Sequence, residues 1–309
     1  KYTGGTVLLG GREVAELSKK DMIYNMGFVS QAPFTFEGTI KDNLFYSCAS
    51  KLDDGGGYDK EAMPTLDDMI EALQQTGIFV DVLRFGLNAV LIHAGNEELV
   101  EKLIRVREHF KRDFGEELVD YVEFFDEDKY LYHSNVAANL TFGSANEAGF
   151  TLENLPVNDY FLQFTDKADL TRPLLTLGAD LCRQTVDILG DLPPENVFFE
   201  QSPIAAKELE KYKELAKRLT KMRLHQLSSQ DRTDLLRLGL RFTPGIHKMV
   251  GMPSILEELI LEGRALFRDK ISADDPGAIT FYQASEYIYS QTILDNIFFG
   301  KAKRVTTQA

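Results

Sequence analysis

The chain has 309 residues, 44% hydrophobic and 27% charged, and its 48 acidic against 34 basic side chains leave a net charge of −14. That length corresponds to about two domains. The apolar fraction argues against wholesale disorder, and the acidic balance argues against a nucleic-acid binder, whose phosphate contacts need a basic surface. No apolar run reaches the ~20 residues that span a bilayer, and no N-terminal segment has the form of a signal peptide. Cys48 and Cys182 have no C-x-x-C spacing, which excludes a disulfide scaffold or zinc cluster and points to a reducing compartment. The chain opens on Lys1 with no Met, which is expected of a piece of something longer.

In chain order, Thr6-Val7-Leu8-Leu9 reads as a short strand closed by Gly10-Gly11, and Met26 to Ser30 as a second apolar strand. The polar stretch from Arg12 to Asn25 leaves room for a turn and one or two helical turns. Asp53-Asp54-Gly55-Gly56-Gly57 is the clearest linker. Helical signals dominate beyond it. Thr65-Leu66-Asp67-Asp68 resembles a capping box, and Leu99, Val100, Leu103, Val106 and Phe110 form an amphipathic stripe. Residues 172–189 carry a leucine-rich helix. Ser202-Pro203 predicts an N-cap and first-turn proline opening a long charged helix through about His225. In that helix, Lys211 to His225 alternates with Glu208, Glu210 and Glu214, the pattern of a solvated face with i,i+4 pairs. Ser254-Ile255-Leu256-Glu257 predicts a further capping box, and strands are expected at Val122–Phe125, Val197–Phe199 and Ala278–Tyr282. The fold class is α+β, predominantly helical, with small strands at the N-terminus and before each copy of a repeated phrase.

That phrase occurs three times. Residues 34–46 hold Phe34, Phe36, Thr39, Ile40, Asn43 and Leu44. The second copy holds Tyr130, Tyr132, Asn135, Val136, Asn139, Leu140, Phe142 and Gly143, and the third Tyr287, Tyr289, Thr292, Ile293, Asn296, Ile297, Phe299 and Gly300. Two alternating aromatics lead to a β-branched residue and then an Asn followed by an aliphatic, and a strand-like run precedes each copy. The asparagine spacings differ, 139 − 43 = 96 and 296 − 139 = 157, so the copies are not a regular solenoid. They fit a unit that was copied and separated by different helical inserts. Alternating aromatics suit an extended segment packed on one face, and the Thr or Asn can cap the helix that follows.

The first copy carries a more specific likeness. Gly5-Thr6-Val7-Leu8-Leu9-Gly10-Gly11, then Met26-Gly27-Phe28-Val29-Ser30-Gln31-Ala32-Pro33, then Phe34 to Leu44 with Gly38-Thr39-Ile40 and Asn43, resembles the ATP-binding cassettes of ABC transporters, most closely the exporter type. The likeness is tight over residues 4–47 and loose at 121–143 and 278–300. By this resemblance Gln31 is the Q-loop glutamine, which in the intact cassette contacts Mg²⁺ and the attacking water. Pro33, Phe34, Phe36 and Thr39 would then face the transmembrane domains and couple to them. ATP and Mg²⁺ would be cofactors of the intact protein only. Its partners would be the transmembrane domains and a second cassette, with no nucleic acid. The location implied is the cytoplasmic face of the inner (plasma) membrane, the segment itself being soluble.

The later copies depart from the pattern: Asp126 to Lys129 replace the glutamine in the second, and Gln283 is one residue out of register in the third. No Gly-x-x-x-x-Gly-Lys-Ser/Thr occurs, Gly300-Lys301-Ala302 being the nearest approach, and there is no Leu-Ser-Gly-Gly-Gln signature. Tyr121 to Glu127 gives only a hint of a Walker B strand. The expected organisation is a cassette fragment with the Q-loop (1–48), a helical insert ending in the second phrase (49–145), a second helical insert (146–277), and the third phrase opening a helical subdomain (278–309). The isolated segment is expected to be inactive, and no metal site is expected. His93, His109, His133, His225 and His247 lack metal-ligand spacing, and no nucleophile motif is present. Acidic pairs such as Asp53-Asp54, Glu116-Glu117 and Asp274-Asp275 sit at turns or helix starts. The alternative is a non-catalytic protein-interaction module derived from a cassette. An unrelated small-molecule enzyme has no catalytic constellation behind it.

Overall fold

Leucine-rich amphipathic segments dominate the sequence, and the chain is accordingly helical with a few two-stranded antiparallel ladders, an α+β fold. The computed structural model describes residues 3–19, 21–22, 26–32, 34–53, 64–92, 95–248 and 250–303. It divides into two compact units, 1–84 and 85–309.

In the first unit β1 (Leu8–Leu9) and β2 (Arg12–Glu13) form a hairpin across Gly10 and Gly11, whose φ of 57° and 80° only a glycine-type turn supplies cheaply. The strand expected at Met26–Ser30 does not form. The segment has no partner strand among the described residues, and Phe28 and Val29 are 91% and 94% exposed. Helix α1 (Ile40–Asp53) starts where Thr39 and Asp42 exchange hydrogen bonds, Thr39 N to Asp42 Oδ2 at 2.9 Å and Asp42 N to Thr39 Oγ1 at 3.0 Å. The linker residues Asp54 to Gly57 lie outside the described residues. Thr65 and Asp68 make the expected capping box of α2 (Leu66–Gln75), and α3 (Phe79–Leu87) follows.

In the second unit α4 (Glu97–Phe114), β3 (Val122–Phe124), α5 (Val136–Thr141) and β4 (Gly143–Ala145) come first. Then come α6 (Asp159–Lys167), α7 (Thr171–Leu189), α8 (Leu209–Leu219) and α9 (Ser229–Arg241). The unit closes with α10 (Ser254–Asp274), β5 (Ile279–Phe281), α11 (Ile293–Phe298) and β6 (Gly300–Ala302). Phe161, Leu174, Leu181, Tyr212, Leu235 and Phe267, from α6 to α10, are fully buried in one core. Helices α7 and α9 approach closely because both are glycine at the crossing. A Cβ on Gly178 would lie 2.0 Å from the Leu235 carbonyl oxygen, and one on Gly239 2.7 Å from that of Leu174.

Several boundaries differ from expectation for local reasons. The Ser202 hydroxyl accepts from Ile204 N in a turn of its own, so the charged helix begins at Leu209 and ends at Leu219. Its ion pairs Lys213–Glu210 and Lys217–Glu214 are spaced i,i+3 rather than i,i+4. Val197–Phe199 is part of a 3₁₀ helix (Val197–Gln201) started by the Asn196 side chain accepting from Phe198 N. Pro253, not Ser254, precedes α10, and Glu257 accepts from the Tyr132 hydroxyl at 2.6 Å instead of closing a capping box. On α4, Leu99 and Val106 are exposed and the buried residues are Val100 and Arg107.

Candidate functional site

The glutamine that the cassette likeness singles out, Gln31, stands exposed on a bend, after Ser30 Oγ accepts from Ala32 N at 3.2 Å. Pro33 lies outside the described residues. Phe34 and Phe36 meet edge to face at 5.0 Å, and Phe36 stacks on Tyr46 at 4.0 Å. The amide of Asn43 holds the turn: its Oδ1 accepts from Phe36 N at 2.8 Å, and its Nδ2 donates to the carbonyls of Phe36 and Thr39, each at 3.0 Å. Phe34 (79% exposed), Phe36 and Thr39 thus share one solvent-facing turn with Gln31 beside it. Gln31 supplies one amide oxygen. That does not make a triphosphate or Mg²⁺ site, and the sequence provides no phosphate loop to complete one.

The second and third phrases build the same asparagine turn and bury it. Asn139 Oδ1 accepts from Leu131 N and Asn296 Oδ1 from Ile288 N, both at 2.8 Å, and both asparagines are essentially inaccessible. Each turn then receives an arginine. Arg264 on α10 donates through Nε to the Asn139 carbonyl at 2.8 Å and through Nη2 to Asn139 Oδ1 at 3.0 Å. Its Nη1 donates to the carbonyls of Glu127 at 2.6 Å and Lys129 at 3.1 Å, and the guanidinium lies 4.3 Å from the centre of the Phe142 ring. Arg107 on α4 repeats this on the third phrase. Its Nε donates to the Asn296 carbonyl at 2.7 Å and its Nη2 to Asn296 Oδ1 at 3.1 Å. Its Nη1 donates to Ala284 and Glu286, and the guanidinium lies 4.3 Å from the Phe299 ring centre. Burial lowers both arginines to about 10, so both remain cationic at neutral pH.

The exchange is reciprocal. The helix before the second phrase serves the third, and the helix before the third serves the second. The strands follow suit: β3 pairs with β6 (Val122↔Ala302) and β5 with β4 (Ile279↔Ala145). Phe142 and Phe299 both end their helices at φ 40°, and the glycine after each lets the strands close. A Cβ on Gly143 would lie 2.6 Å from the Thr280 oxygen, and one on Gly300 2.7 Å from the Glu123 oxygen. Arg107 and Arg264 are the residues that reading the phrase alone misses. The signal was available, because these arginines are 157 residues apart, like Asn139 and Asn296. At that fixed offset Leu99 matches Leu256, Phe110 matches Phe267 and Phe124 matches Phe281. The repeat is therefore 97–145 and 254–302, helix and strand included.

Several of the remaining candidates have structural employment. Glu123, in the Walker B-like stretch, accepts from the backbone N–H groups of Tyr132 and His133, both at 2.7 Å, and so anchors the turn. His247 Nδ1 accepts from Thr243 N at 3.0 Å. Burial keeps His133 below the ordinary histidine range and pushes the Cys182 thiol up to about 12, which makes it a poor nucleophile. His93 lies outside the described residues. Among the described residues no three His, Cys, Asp or Glu side chains group as metal ligands, and no helix is long and apolar enough to cross a membrane. Comparison with protein-family models, curated proteins and solved structures finds no match to this chain.

Proposed function

We propose that the chain is part of the ATP-binding domain of an ABC transporter, one that couples ATP hydrolysis to transmembrane transport. In this reading it contributes the Q-loop glutamine Gln31 and, through Pro33, Phe34, Phe36 and Thr39, the surface that meets the transmembrane domains at the cytoplasmic membrane face. The observation that carries the reading is the run from Val29-Ser30-Gln31 to Gly38-Thr39-Ile40 and Asn43, in cassette order behind a Gly10-Gly11 hairpin. The geometry supports it in one respect: Asn43 and the Thr39–Asp42 pair fix a turn that leaves Gln31 and Phe34 facing solvent. A second cassette and the transmembrane domains are the partners this requires.

In the full-length protein, Gln31→Ala should lower ATP hydrolysis at least about tenfold and leave ATP binding intact. Phe34→Ala should weaken substrate stimulation of hydrolysis while keeping the basal rate. Unchanged hydrolysis in Gln31→Ala overturns the reading, while micromolar ATP affinity in the present chain, which lacks a phosphate loop, overturns the narrower expectation that this segment alone binds ATP poorly and is inactive.

For residues 85–303 a second reading is favoured by the burial of both later asparagine turns. Their phrase residues are consumed in packing, as in an interaction module that keeps the cassette-like unit for its stability.

A further inference from the structure

In an acidic chain most arginines of the second unit are occupied. Arg218 pairs with Asp231 and Arg237 with Asp234, both at 2.8 Å, and Arg241 with Glu208 at 3.0 Å. Arg183 pairs with Asp180 and Arg268 with Glu127, both at 3.1 Å, while Arg107 and Arg264 are locked on carbonyls. Arg172, Arg223 and Arg232 differ. Among the described residues their guanidinium groups make no ion pair or hydrogen bond, and all three line a single cavity of about 650 Å³ together with His225. Three elements bring them there: the first turn of α7, the 3₁₀ turn between α8 and α9 (Leu224–Gln226), and the first turn of α9.

Three unpaired guanidinium groups around one concavity repel one another, and their forked donors match phosphate oxygens. The start of α7 adds to this, since Leu170 provides no side-chain cap for its first amides. Two carboxylates, Asp166 and Asp169, share the wall without pairing with the arginines, and Asp169 is held at φ 55°. Carboxylates there disfavour a bare polyanion and provide acceptors for hydroxyl groups. Among the described residues no Phe, Tyr or Trp ring lines the cavity, so a nucleobase would find only the His225 ring and the guanidinium planes to stack on. The volume fits a small ligand.

We propose that this cavity binds a sugar phosphate, its phosphate taken by Arg172, Arg223 and Arg232 and its hydroxyls by Asp166 and Asp169. The inference uses none of the residues of the cassette-like segment, so it stands or falls apart from that reading.

Calorimetric titration of the present chain with ribose 5-phosphate tests it, with inorganic phosphate and ribose as separate arms. Ribose 5-phosphate should bind at one site at least about tenfold more tightly than either fragment. Arg223→Gln and Arg232→Gln should each weaken it about tenfold, more so at low salt. Asp169→Asn, which keeps a residue tolerant of positive φ, should weaken ribose 5-phosphate and not inorganic phosphate. Arg105→Gln, on α4 away from the cavity, is the charge control and should change nothing. Absence of saturable heat up to about 10 mM overturns the proposal. So does binding that survives the cavity arginine substitutions, or ribose 5-phosphate no tighter than phosphate.

Discussion

The first copy of the phrase and the two later ones share an asparagine turn and differ in everything that surrounds it. Asn43 holds its turn alone and partly open to water, whereas Asn139 and Asn296 each sit beneath an arginine carried by the other repeat's helix. The later copies end at a left-handed phenylalanine followed by glycine, which lets a strand close on its partner. The first has Tyr46-Ser47 at that place, and α1 runs on to Asp53. The same short sequence thus serves as an exposed turn in one setting and as a buried lock in the other. What converts it is the glycine that ends the later copies and an arginine that lies outside the phrase altogether.

The comparison can be broken most directly at the arginines. Arg264→Met should cost about 3–5 kcal/mol in urea unfolding, because it strands the Asn139 and Glu127 carbonyls inside the fold. Arg107→Met should cost a similar amount. If either is neutral, the lock is not what holds the repeats together. Next come the asparagines. Asn139→Ala and Asn296→Ala should each cost about 2–3 kcal/mol, and Asn43→Ala less than about 1 kcal/mol, since water reaches the groups it frees. Equal costs at all three positions would erase the distinction between open and buried turns.

Gly143→Ala and Gly300→Ala should each cost about 1–3 kcal/mol, because the added carbon meets backbone across the ladder. Gly11→Ala in the first unit has open space around it, and only its φ of 80° opposes the change, so about 1 kcal/mol is expected. The smallest effect is acidic. Burial depresses His133, whose ring packs against Gly245. The unfolded chain therefore binds more protons, and stability should fall as pH drops below the ordinary histidine value of 6.5. His133→Phe should flatten that slope in acid unfolding curves.

Much of the local architecture was legible. Thr65–Asp68, the strand that Gly10-Gly11 closes, the strands before the second and third phrases, and the Asn or Thr caps of α5 and α11 follow from residue type and spacing, whereas the return strand Arg12–Glu13 lies in a polar stretch that reads as a turn and helical turns. The errors are of another kind. Ser202 and Ser254 carry an N-cap signature, but a neighbouring turn captured the hydroxyl in one case and proline took the cap position in the other. The apolar run Met26–Ser30 has strand composition, but a strand needs a partner, and none is described for it. Arg107 looks like a surface residue of a charged helix. Its burial follows from acceptors 176 to 189 residues away, which no local pattern contains. Gln31 was legible only through the family likeness, and its exposure on a bend is compatible with that likeness.

The reciprocal exchange also orders events in time. A ribosome makes Asn139 well before Arg264, the guanidinium that covers it, while Arg107 emerges long before the Asn296 turn that it enters. Neither lock can close until almost the whole unit exists, so a nascent chain must carry one open turn and one uncovered cation through most of its synthesis. Such long-range closure predicts slow folding. The self-complementary pattern is that of a two-fold dimer interface, with the helices of 146–253 serving as the tether that makes its two halves one molecule.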